Sequence, residues 1–419
     1  MTPLDKWIRE TARLPELTES ALRGYHLGKL RDIVGYAKAR GRYYRERFVE
    51  HGEIKSLADF QALPFTDAAD ISRNPLDFLC VPPDDVSRIV TLRTSGTTGS
   101  GKRIFSAPED QELTIEFFRY GMSTFTVRGD RALLFMPGES PGGVGNLLTR
   151  GLERLGAASR VYGPVSDYGG ARLALLEYGP DVAVGLPSQM LRLARETAGV
   201  FKLKSVLLAS DYISPALESA IEAAWGCEVF THYGLTESGL GGAVSCEAHD
   251  GYHMRDNDLY FEIIDPASGS PLPDGECGEI VFTTLNHAAM PLIRYRTGDR
   301  SRIIPSRCPC GSAVRRLGRI AGRMAEPIRL RSGQSLSTTD LDDILYKYPE
   351  IAAFAADLSS DGGTETLTIT VKLAGASPSP PTIPELDALP VKVAIKLGTP
   401  GFFTTGTLKR KITGVSSTV

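Results

Sequence analysis

The stretch RTSGTTGSGKRIFSAP, residues 93–108, decides between two folds that both bind phosphate. Its glycines, hydroxyls and lysine suit an anion, because glycine lets backbone N–H groups curl around phosphate oxygens. The run GTTGSGK also has P-loop spacing, but a P-loop continues with Ser or Thr and opens a helix. Arg103 stands there instead, and the alternation over 103–107 before Pro108 predicts a strand. The residues therefore argue against a P-loop nucleoside triphosphatase. Taken alone, the stretch also allows a flexible Gly/Ser surface turn.

Apolar runs that resemble strands alternate with helical runs between residues 88 and 234. This alternation predicts an α/β fold: a large N-terminal domain with mostly parallel sheets and helices on both faces, whose ligands bind where strands end. The strand-like runs are RIVTLRT (88–94), RALLFMPG (131–138), ASRVYG (158–163), DVAVGLP (181–187), SVLLAS (205–210) and CEVFTHYG (227–234), and the helical runs include DQELTIEFFRYGMSTF (110–125) and SPALESAIEAAW (214–225).

The rest of the chain predicts smaller modules. Turn residues between the runs LYFEIID and EIVFTT indicate a small antiparallel β subdomain. After Arg323 a helical run, a strand pair and a Pro/Ser-rich loop predict a small mobile α+β domain. We therefore predict a large domain over 1–322, including a β region at about 240–322, and a small C-terminal lid domain over 323–419.

Composition predicts a protein with a small-molecule partner. The 419 residues are too many for one ordinary core, so at least two domains are expected. With 47 basic and 50 acidic residues the net charge is −3, which does not favour a nucleic-acid or membrane partner. The N-terminal residues lack the apolar centre of a signal peptide, so we predict a cytoplasmic enzyme. Six cysteines are too few for a disulfide scaffold of this size.

Four motifs occur in an order that resembles the adenylate-forming superfamily of acyl-CoA synthetases, luciferases and peptide-synthetase adenylation domains. They are RTSGTTGSGK (93–102), HYGLTESG (232–239), YRTGD (295–299) and GR (322–323). Within that superfamily the pattern is most similar to phenylacetate-CoA ligases, and the resemblance spans the chain from about residue 25. The segments that carry it are LPFTDAADISRNP (63–75), GGVGNLLTRGLERLGA (142–157), CEAHDGYH (246–253, with Ser245 in place of the usual Glu) and AMPLIRYRTGD (289–299).

The resemblance implies a reaction in two steps. A carboxylate attacks the α-phosphorus of ATP and releases pyrophosphate, and the acyl-adenylate then passes its acyl group to a thiol. Both reactants of the first step are anions, so donors and Mg²⁺ are needed to offset their repulsion. The implied partners are a small or aryl carboxylic acid and CoA. A carrier-protein thiol or an amine as acceptor, and a degenerate relative that only binds nucleotide or acid, stay open. Relatives commonly pair as homodimers, and the sequence leaves open whether this chain does.

The resemblance also assigns residues to the nucleotide and the acid. Thr236 would place its hydroxyl at the α-phosphate and Glu237 would hold Mg²⁺, although TESG could merely begin a helix. Tyr233 would lie against adenine, and Asp299 would accept the ribose hydroxyls with Arg323 nearby. The phosphate cradle would be Thr94, Ser95, Gly96, Thr97, Thr98, Gly99 and Lys102; further nucleotide contacts would be Ala209, Ser210, Asp211, His232 and Gly234; the acid would lie beside Gly142, Gly143, Val144 and Tyr212.

A metal site is predicted from the cysteines. The turn CPCG points the thiols of Cys308 and Cys310 in one direction, and arginines around it would favour thiolates. Cys246 with His253 or His249 would complete a Cys₃His zinc site, and some similar proteins carry this pairing with the histidine that matches His253. A closed set of four ligands implies a structural staple, and free thiols in a loop are the alternative. Cys80, Cys227 and Cys277 have no evident partner.

The C-terminal sequence departs from the family pattern. Relatives carry a lysine in a motif like S-x-G-K-x-x-R, which contacts the substrate carboxylate and the α-phosphate. Here the stretch reads TTGTLKRKI (404–412), with Thr407 at the lysine position and Lys409 two residues later. Either Lys409 reaches the site, or adenylation is weak, or the lysines form a solvated tail. The usual acidic hinge after Gly-Arg would fall at Glu326 or a neighbour.

Overall fold

The computed structural model describes residues 2–92, 101–138, 140–324, 327–361, 363–375, 379–399 and 412–414. The helices are α1 (Pro3–Thr11), α2 (Glu19–Arg40), α3 (Arg42–Arg47), α4 (Leu57–Gln61), α5 (Ala68–Arg73), α6 (Pro108–Met122), α7 (Val144–Leu155), α8 (Tyr168–Tyr178), α9 (Pro187–Glu196), α10 (Pro215–Trp225) and α11 (Thr338–Leu345). Short 3₁₀ turns cover Pro75–Phe78, Pro83–Asp85, Thr236–Ser238 and Pro384–Ala388. Among the helices of the described residues, none is long and apolar enough to cross a bilayer.

The strands fall into five groups along the chain. They are β1 (Arg88–Leu92), β2 (Lys102–Ser106), β3 (Arg131–Leu134), β4 (Ala158–Val161), β5 (Val182–Gly185), β6 (Ser205–Leu208), β7 (Glu228–Tyr233), β8 (Ala243–Val244), β9 (Tyr252–Met254), β10 (Leu259–Ile264), β11 (Gly278–Thr284), β12 (Tyr295–Ser301), β13 (Ile303–Ile304), β14 (Arg316–Leu317), β15 (Ile328–Arg329), β16 (Ser335–Leu336), β17 (Ile351–Asp361), β18 (Thr364–Leu373), β19 (Lys392–Leu397) and β20 (Thr413–Gly414).

The chain divides into two compact units. Unit 1 comprises Met1–Arg128, Ser140–Gly156 and His232–Ala321, and unit 2 comprises Gly129–Glu139, Ala157–Thr231 and Gly322–Val419. Strand β7 therefore begins in unit 2, and its last two residues belong to unit 1. The predicted division into domains at residues 322 and 323 stays a prediction.

Unit 2 contains the predicted parallel sheet. Its strands lie in the order β7-β6-β5-β3-β4 with parallel pairing throughout. All residues of β5 and β6 are buried, which explains why the sequence shows continuous apolar runs there instead of alternation. Helix α10 has clear local causes: the Ser214 hydroxyl caps it by accepting from the Leu217 N–H at 3.1 Å, and Gly226 ends it at a φ of +63°.

The C-terminal segment of unit 2 packs on that parallel sheet. Its strands lie in the order β19-β18-β17-β20, and helix α11 precedes β17. Leu341 and Phe354 belong to the same hydrophobic core as Val206 and Leu217. The guanidinium of Arg195 on α9 donates to the Tyr346 carbonyl at 2.7 Å and also to the Ile351 carbonyl. The described C-terminal elements therefore share one core with residues of the parallel sheet.

Unit 1 combines helices with antiparallel sheets. The end of β7 continues into the antiparallel order β7-β8-β9-β14-β13, and a second sheet has the order β10-β11-β12. The antiparallel β subdomain predicted from the turn-rich sequence is therefore present. A mixed α/β architecture with a small β region confirms the predicted fold class.

Strands β1 and β2 form an antiparallel hairpin that decides the P-loop question. Residues Lys102–Ser106 are a strand, and the next helix begins at Pro108. A P-loop would continue directly into a helix, so the P-loop alternative is wrong. The helix begins at Pro108 because proline suits the first helical position, and the Asp110 carboxylate accepts from the Ala107 N–H at 2.8 Å.

Candidate active site and metal-ligating cluster

The glycine-rich loop closes at Lys102. Leu92 and Lys102 are paired across the hairpin, so the two ends of the loop are held together. A Cβ at Gly101 would lie 2.8 Å from the Leu92 carbonyl oxygen, and this approach requires glycine. The predicted phosphate contacts Thr94, Ser95, Gly96, Thr97, Thr98 and Gly99 lie outside the described residues.

Glu237 lies in a tight turn after β7. Thr236–Ser238 form one 3₁₀ turn, in which the Leu235 N–H donates to the Ser238 hydroxyl at 3.1 Å. Gly239 ends the turn at a φ of +70°, a left-handed conformation that suits glycine. The Glu237 side chain is buried, whereas Thr236 is partly exposed. The turn therefore presents a hydroxyl and a buried carboxylate side by side, where a helix start was the alternative.

Lys102, Glu237 and Tyr295 meet in a buried triangle. The Lys102 ammonium forms an ion pair with Glu237 Oε1 and donates to the Tyr295 hydroxyl at 3.0 Å. The Tyr295 hydroxyl in turn donates to Glu237 Oε1 at 2.9 Å. We call these three residues the Lys–Glu–Tyr triangle. Sequence reasoning missed Tyr295 as a functional candidate, although it is the first residue of the YRTGD motif.

Tyr233 and Asp299 also come together. The Tyr233 hydroxyl donates to Asp299 Oδ2 at 3.0 Å, and both side chains are buried. The Thr297 hydroxyl accepts from the Asp299 N–H at 3.0 Å, which fixes the backbone of the turn. The residues predicted to contact adenine and ribose are thus neighbours within unit 1.

His232 points away from polar groups. Its ring lies 5.9 Å from that of Phe117 and 6.3 Å from that of Phe118, and its Nε2 is buried without a hydrogen-bond partner among the described residues. Burial, and secondarily the Arg255 charge, lowers the pKa of His232 to about 4. Gly234 is tightly packed, since a Cβ there would lie 2.7 Å from His232 Cε1. The nucleotide contacts predicted for His232 and Gly234 stay predictions.

The residues predicted beside the acid are packed closely at the start of α7. Gly143 precedes the helix, and the Gly142 N–H donates to Asn146 Oδ1 at 3.0 Å. Gly142 has a φ of +71°, and a Cβ there would lie 2.9 Å from Arg88 Cδ. Small residues are therefore required at this position by packing and backbone conformation. A role for Gly142, Gly143 and Val144 in binding acid stays a prediction.

The remaining predicted contacts lie in unit 2. Ala209, Ser210, Asp211 and Tyr212 follow β6, and Ser210 has a φ of +72°. A non-glycine residue in this left-handed conformation is strained, and such strain often occurs at functional sites. Arg323 belongs to the same unit. Lys409, Thr407 and Glu326 lie outside the described residues.

Cys246, His253, Cys308 and Cys310 form the metal-ligating cluster. The ligand atoms of these four residues all lie within 4.8 Å of one another. Cys246 Sγ and Cys308 Sγ are 3.5 Å apart, and Cys310 Sγ lies 3.4 Å from His253 Nε2. Tetrahedral zinc has bonds of about 2.3 Å to sulfur and about 2.0 Å to nitrogen, so neighbouring ligand atoms at these separations suit it. The structure brings His253 into the cluster, whereas His249 is exposed.

The surroundings orient the four ligands. His253 Nδ1 lies 3.2 Å from the Val314 carbonyl oxygen, which fixes the proton on Nδ1 and leaves Nε2 as the ligand atom. Arg316 donates to Asp250 Oδ2 at 2.6 Å and to the Ser306 carbonyl at 2.7 Å, and so ties together the two segments that carry the ligands. Burial raises the pKa of the Cys246 thiol and lowers the pKa of His253. Zinc would favour the thiolates that burial alone disfavours.

Comparison with known proteins identifies the family. A model of the AMP-binding enzyme family matches residues 45–289, and the chain belongs to this family. It is 32% identical over 380 residues to a phenylacetate-coenzyme A ligase of Aromatoleum evansii, covering 86% of this chain and 83% of that protein. It is 30% identical over 371 residues to a phenylacetate-coenzyme A ligase of Pseudomonas putida, covering 84% and 82%. The resemblance drawn from the motifs is confirmed.

A solved structure shows the same fold. A crystal structure of 2-hydroxyisobutyryl-CoA ligase, in the postadenylation state with 2-HIB-AMP, has a TM-score of 0.79 to this chain. The identity is 21%, and the match covers 95% of this chain and 90% of that one.

Proposed function

We propose that the protein is an AMP-forming acid–CoA ligase: it activates a carboxylic acid with ATP through an acyl-adenylate and transfers the acyl group to CoA. The observation that carries the proposal is the contact between Lys102 and Glu237. It joins the end of the glycine-rich loop to the acidic residue of the TESG turn, so the two motifs expected to hold one triphosphate converge. The relatives named above are CoA ligases, which supports the class of reaction.

Each residue has a distinct proposed role in adenylation. The glycine-rich loop and Lys102 would bind the β- and γ-phosphates, and the Thr236 hydroxyl would donate to the α-phosphate. Tyr233 and Asp299 would hold the nucleoside. Lys409 is proposed as the cation that replaces the usual lysine at the reacting carboxylate.

Glu237 is the proposed Mg²⁺ ligand. Its buried carboxylate already pairs with the Lys102 ammonium, so the position suits a cation and offers the oxygen that Mg²⁺ prefers. When bound, Mg²⁺ offsets the negative charge of the phosphates and of the attacking carboxylate. The residues of the turn then orient the phosphates around it.

The metal-ligating cluster is proposed to hold one structural zinc ion. Three cysteines and one histidine would fill all four positions of a tetrahedral site, so no position would be open to a substrate. Zinc would join the segment that carries Cys246 and His253 to the turn that carries Cys308 and Cys310.

The acid is proposed to be aryl or small and aliphatic. Pyrophosphate release should be measured with a panel that includes phenylacetate, benzoate and 2-hydroxyisobutyrate. CoA, a carrier protein and an amine should then be supplied in separate reactions to identify the acceptor. Release of pyrophosphate with transfer only to the carrier or the amine would favour the alternative acceptor, and binding of ATP without release for any acid would favour a non-catalytic relative.

Two controls define the proposed site. Glu237→Ala should abolish pyrophosphate release, whereas Glu247→Ala, an exposed residue of the same β region, should leave it unchanged. The proposed setting is the cytoplasm. Pairing of two copies is a further proposal, which sedimentation equilibrium of the full chain would test.

A further inference from the structure

The Lys–Glu–Tyr triangle places a cation where the proposed metal would bind. The side chains of Lys102 and Glu237 are 9% and 5% exposed, and Tyr295 is 2% exposed. A buried carboxylate without a partner is strongly unfavourable, and removing one partner of a buried ion pair leaves an uncompensated charge. Glu237 therefore does not wait for Mg²⁺ as a bare carboxylate, because the Lys102 ammonium neutralises it.

The two cations compete for one oxygen. The ammonium contacts Glu237 Oε1, and the same oxygen accepts from the Tyr295 hydroxyl. An ammonium and a divalent ion at one buried carboxylate repel each other strongly, since little water screens them. Binding of the divalent ion at Glu237 therefore requires Lys102 to leave.

Lys102 has a second place to go. It is the first residue of β2 and forms the end of the loop proposed to bind phosphates. Its ammonium could exchange the carboxylate for a phosphate oxygen by rotating its flexible four-carbon side chain. The Tyr295 hydroxyl, which carries one proton, accepts from Lys102 and donates to Glu237, so it can continue to orient the carboxylate after the lysine has left.

We infer that Lys102 is a resident counterion of Glu237 that is exchanged for the divalent cation when the metal–nucleotide complex binds, and that returns when the metal leaves. This inference rests on the proposed role of Glu237 in binding Mg²⁺. It makes Lys102 and Tyr295 positioning residues of the metal site. It also means that the metal without nucleotide binds weakly, because nothing then receives the displaced ammonium.

The test measures binding of Mn²⁺ to the full chain without ATP, acid or CoA, by electron paramagnetic resonance of the free ion. The zinc complement is kept constant in all samples. Lys102→Met removes the charge, Lys102→Gln keeps a hydrogen-bond donor, and Lys55→Met is an exposed control. Both Lys102 variants are expected to bind Mn²⁺ at least about tenfold more tightly than wild type and the control, in line with the strength of a close charge pair in a protein.

A double variant assigns the bound ion. The gain should disappear in Lys102→Met combined with Glu237→Gln, because the competing carboxylate is then gone. Equal Mn²⁺ affinity in wild type and folded Lys102 variants would overturn the inference, as would a gain that persists without the Glu237 carboxylate. Circular dichroism checks folding, and Lys102→Gln decides the question should Lys102→Met not fold.

Failure of the proposed function has a different outcome. If wild type releases no pyrophosphate with any acid, the ligase proposal is wrong, but Mn²⁺ competition at Glu237 is still decided because the binding assay contains no substrate. If the enzyme turns over and Mn²⁺ affinity is unchanged, only the exchange is wrong.

Discussion

The Tyr295 hydroxyl links a buried lysine to a buried carboxylate, and its removal is the mildest change that disturbs both. In Tyr295→Phe the ring stays, but Glu237 loses one donor. A hydrogen bond to a charged group is worth about 1.5–3 kcal/mol, so kcat/KM for ATP should fall at least about tenfold. Steady-state kinetics at varied ATP and Mg²⁺ would measure this, and the Mg²⁺ concentration for half-maximal rate should change as well.

Tyr43→Phe is the matched control for that prediction. The Tyr43 hydroxyl donates to Asp70 Oδ2 at 2.9 Å, so it also serves a carboxylate, but it contacts no candidate site residue. The control should lose stability without a change in kcat/KM for ATP. Equal kinetic losses in both variants would show that Tyr295 acts only through general stability.

His232 predicts how the stability of the protein depends on pH. Its pKa lies at about 4 in the folded chain and at 6.5 when unperturbed, so the unfolded chain binds more protons between these values. Stability from this residue is therefore present above pH 6.5 and is lost as pH falls toward 4. The loss amounts to about 2.5 kcal/mol by pH 4.5. Urea unfolding at several pH values should give a shallower pH slope for His232→Gln than for wild type.

The exposed His249 supplies the comparison for that pH experiment. His249→Gln should retain the pH slope of wild type. Burial also lowers the pKa values of His26 and His287, so His232→Gln should retain part of the slope. An unchanged slope in His232→Gln would mean that its imidazole is not neutral and buried as the structure describes.

At the scale of elements, the metal-ligating cluster joins two β segments and gives a prediction about zinc. Cys308→Ser removes one of four ligands, so zinc measured by mass spectrometry should fall from one ion per chain to nearly none. Because metal binding contributes directly to folding, the free energy of unfolding should fall by at least about 2 kcal/mol. Cys277→Ser changes an exposed cysteine and should retain both zinc and stability. Full zinc content in Cys308→Ser would contradict the assignment of this ligand.

Elements differ in how far the sequence predicts them. Strands β5 and β6 follow from short apolar runs bounded by turn residues, because burial on both faces leaves a local signature. The hairpin β1–β2 follows from alternation before Pro108. The Lys102–Tyr295 contact joins residues 193 positions apart, and local periodicity does not encode which distant side chains meet. Motif order placed Lys102 and Glu237 in one site, but it gave no reason to add Tyr295.

At the scale of the whole molecule, the C-terminal segment raises the question of how independent it is. The sequence predicts a separate lid over 323–419, from a change in composition and from family resemblance. The described part of this segment instead contributes Leu341 and Phe354 to a hydrophobic core that also contains Val206 and Leu217. Apolar side chains carry no mark of which element covers them, so this shared core could not be predicted from pattern alone.

The shared core predicts that unit 2 unfolds as one body. Leu341 is fully buried on α11, and Leu341→Ala should cost about 2–5 kcal/mol, whereas Leu397→Ala, at an exposed strand end, should cost less than about 1 kcal/mol. Hydrogen exchange measured by mass spectrometry should show that Leu341→Ala weakens protection in β5, β6 and α10 as well as in β17 and β18. Leu397→Ala should change neither group. If Leu341→Ala weakens protection only after residue 322, the C-terminal segment is an independent domain, and the boundary predicted from the sequence describes folding better than the common core does.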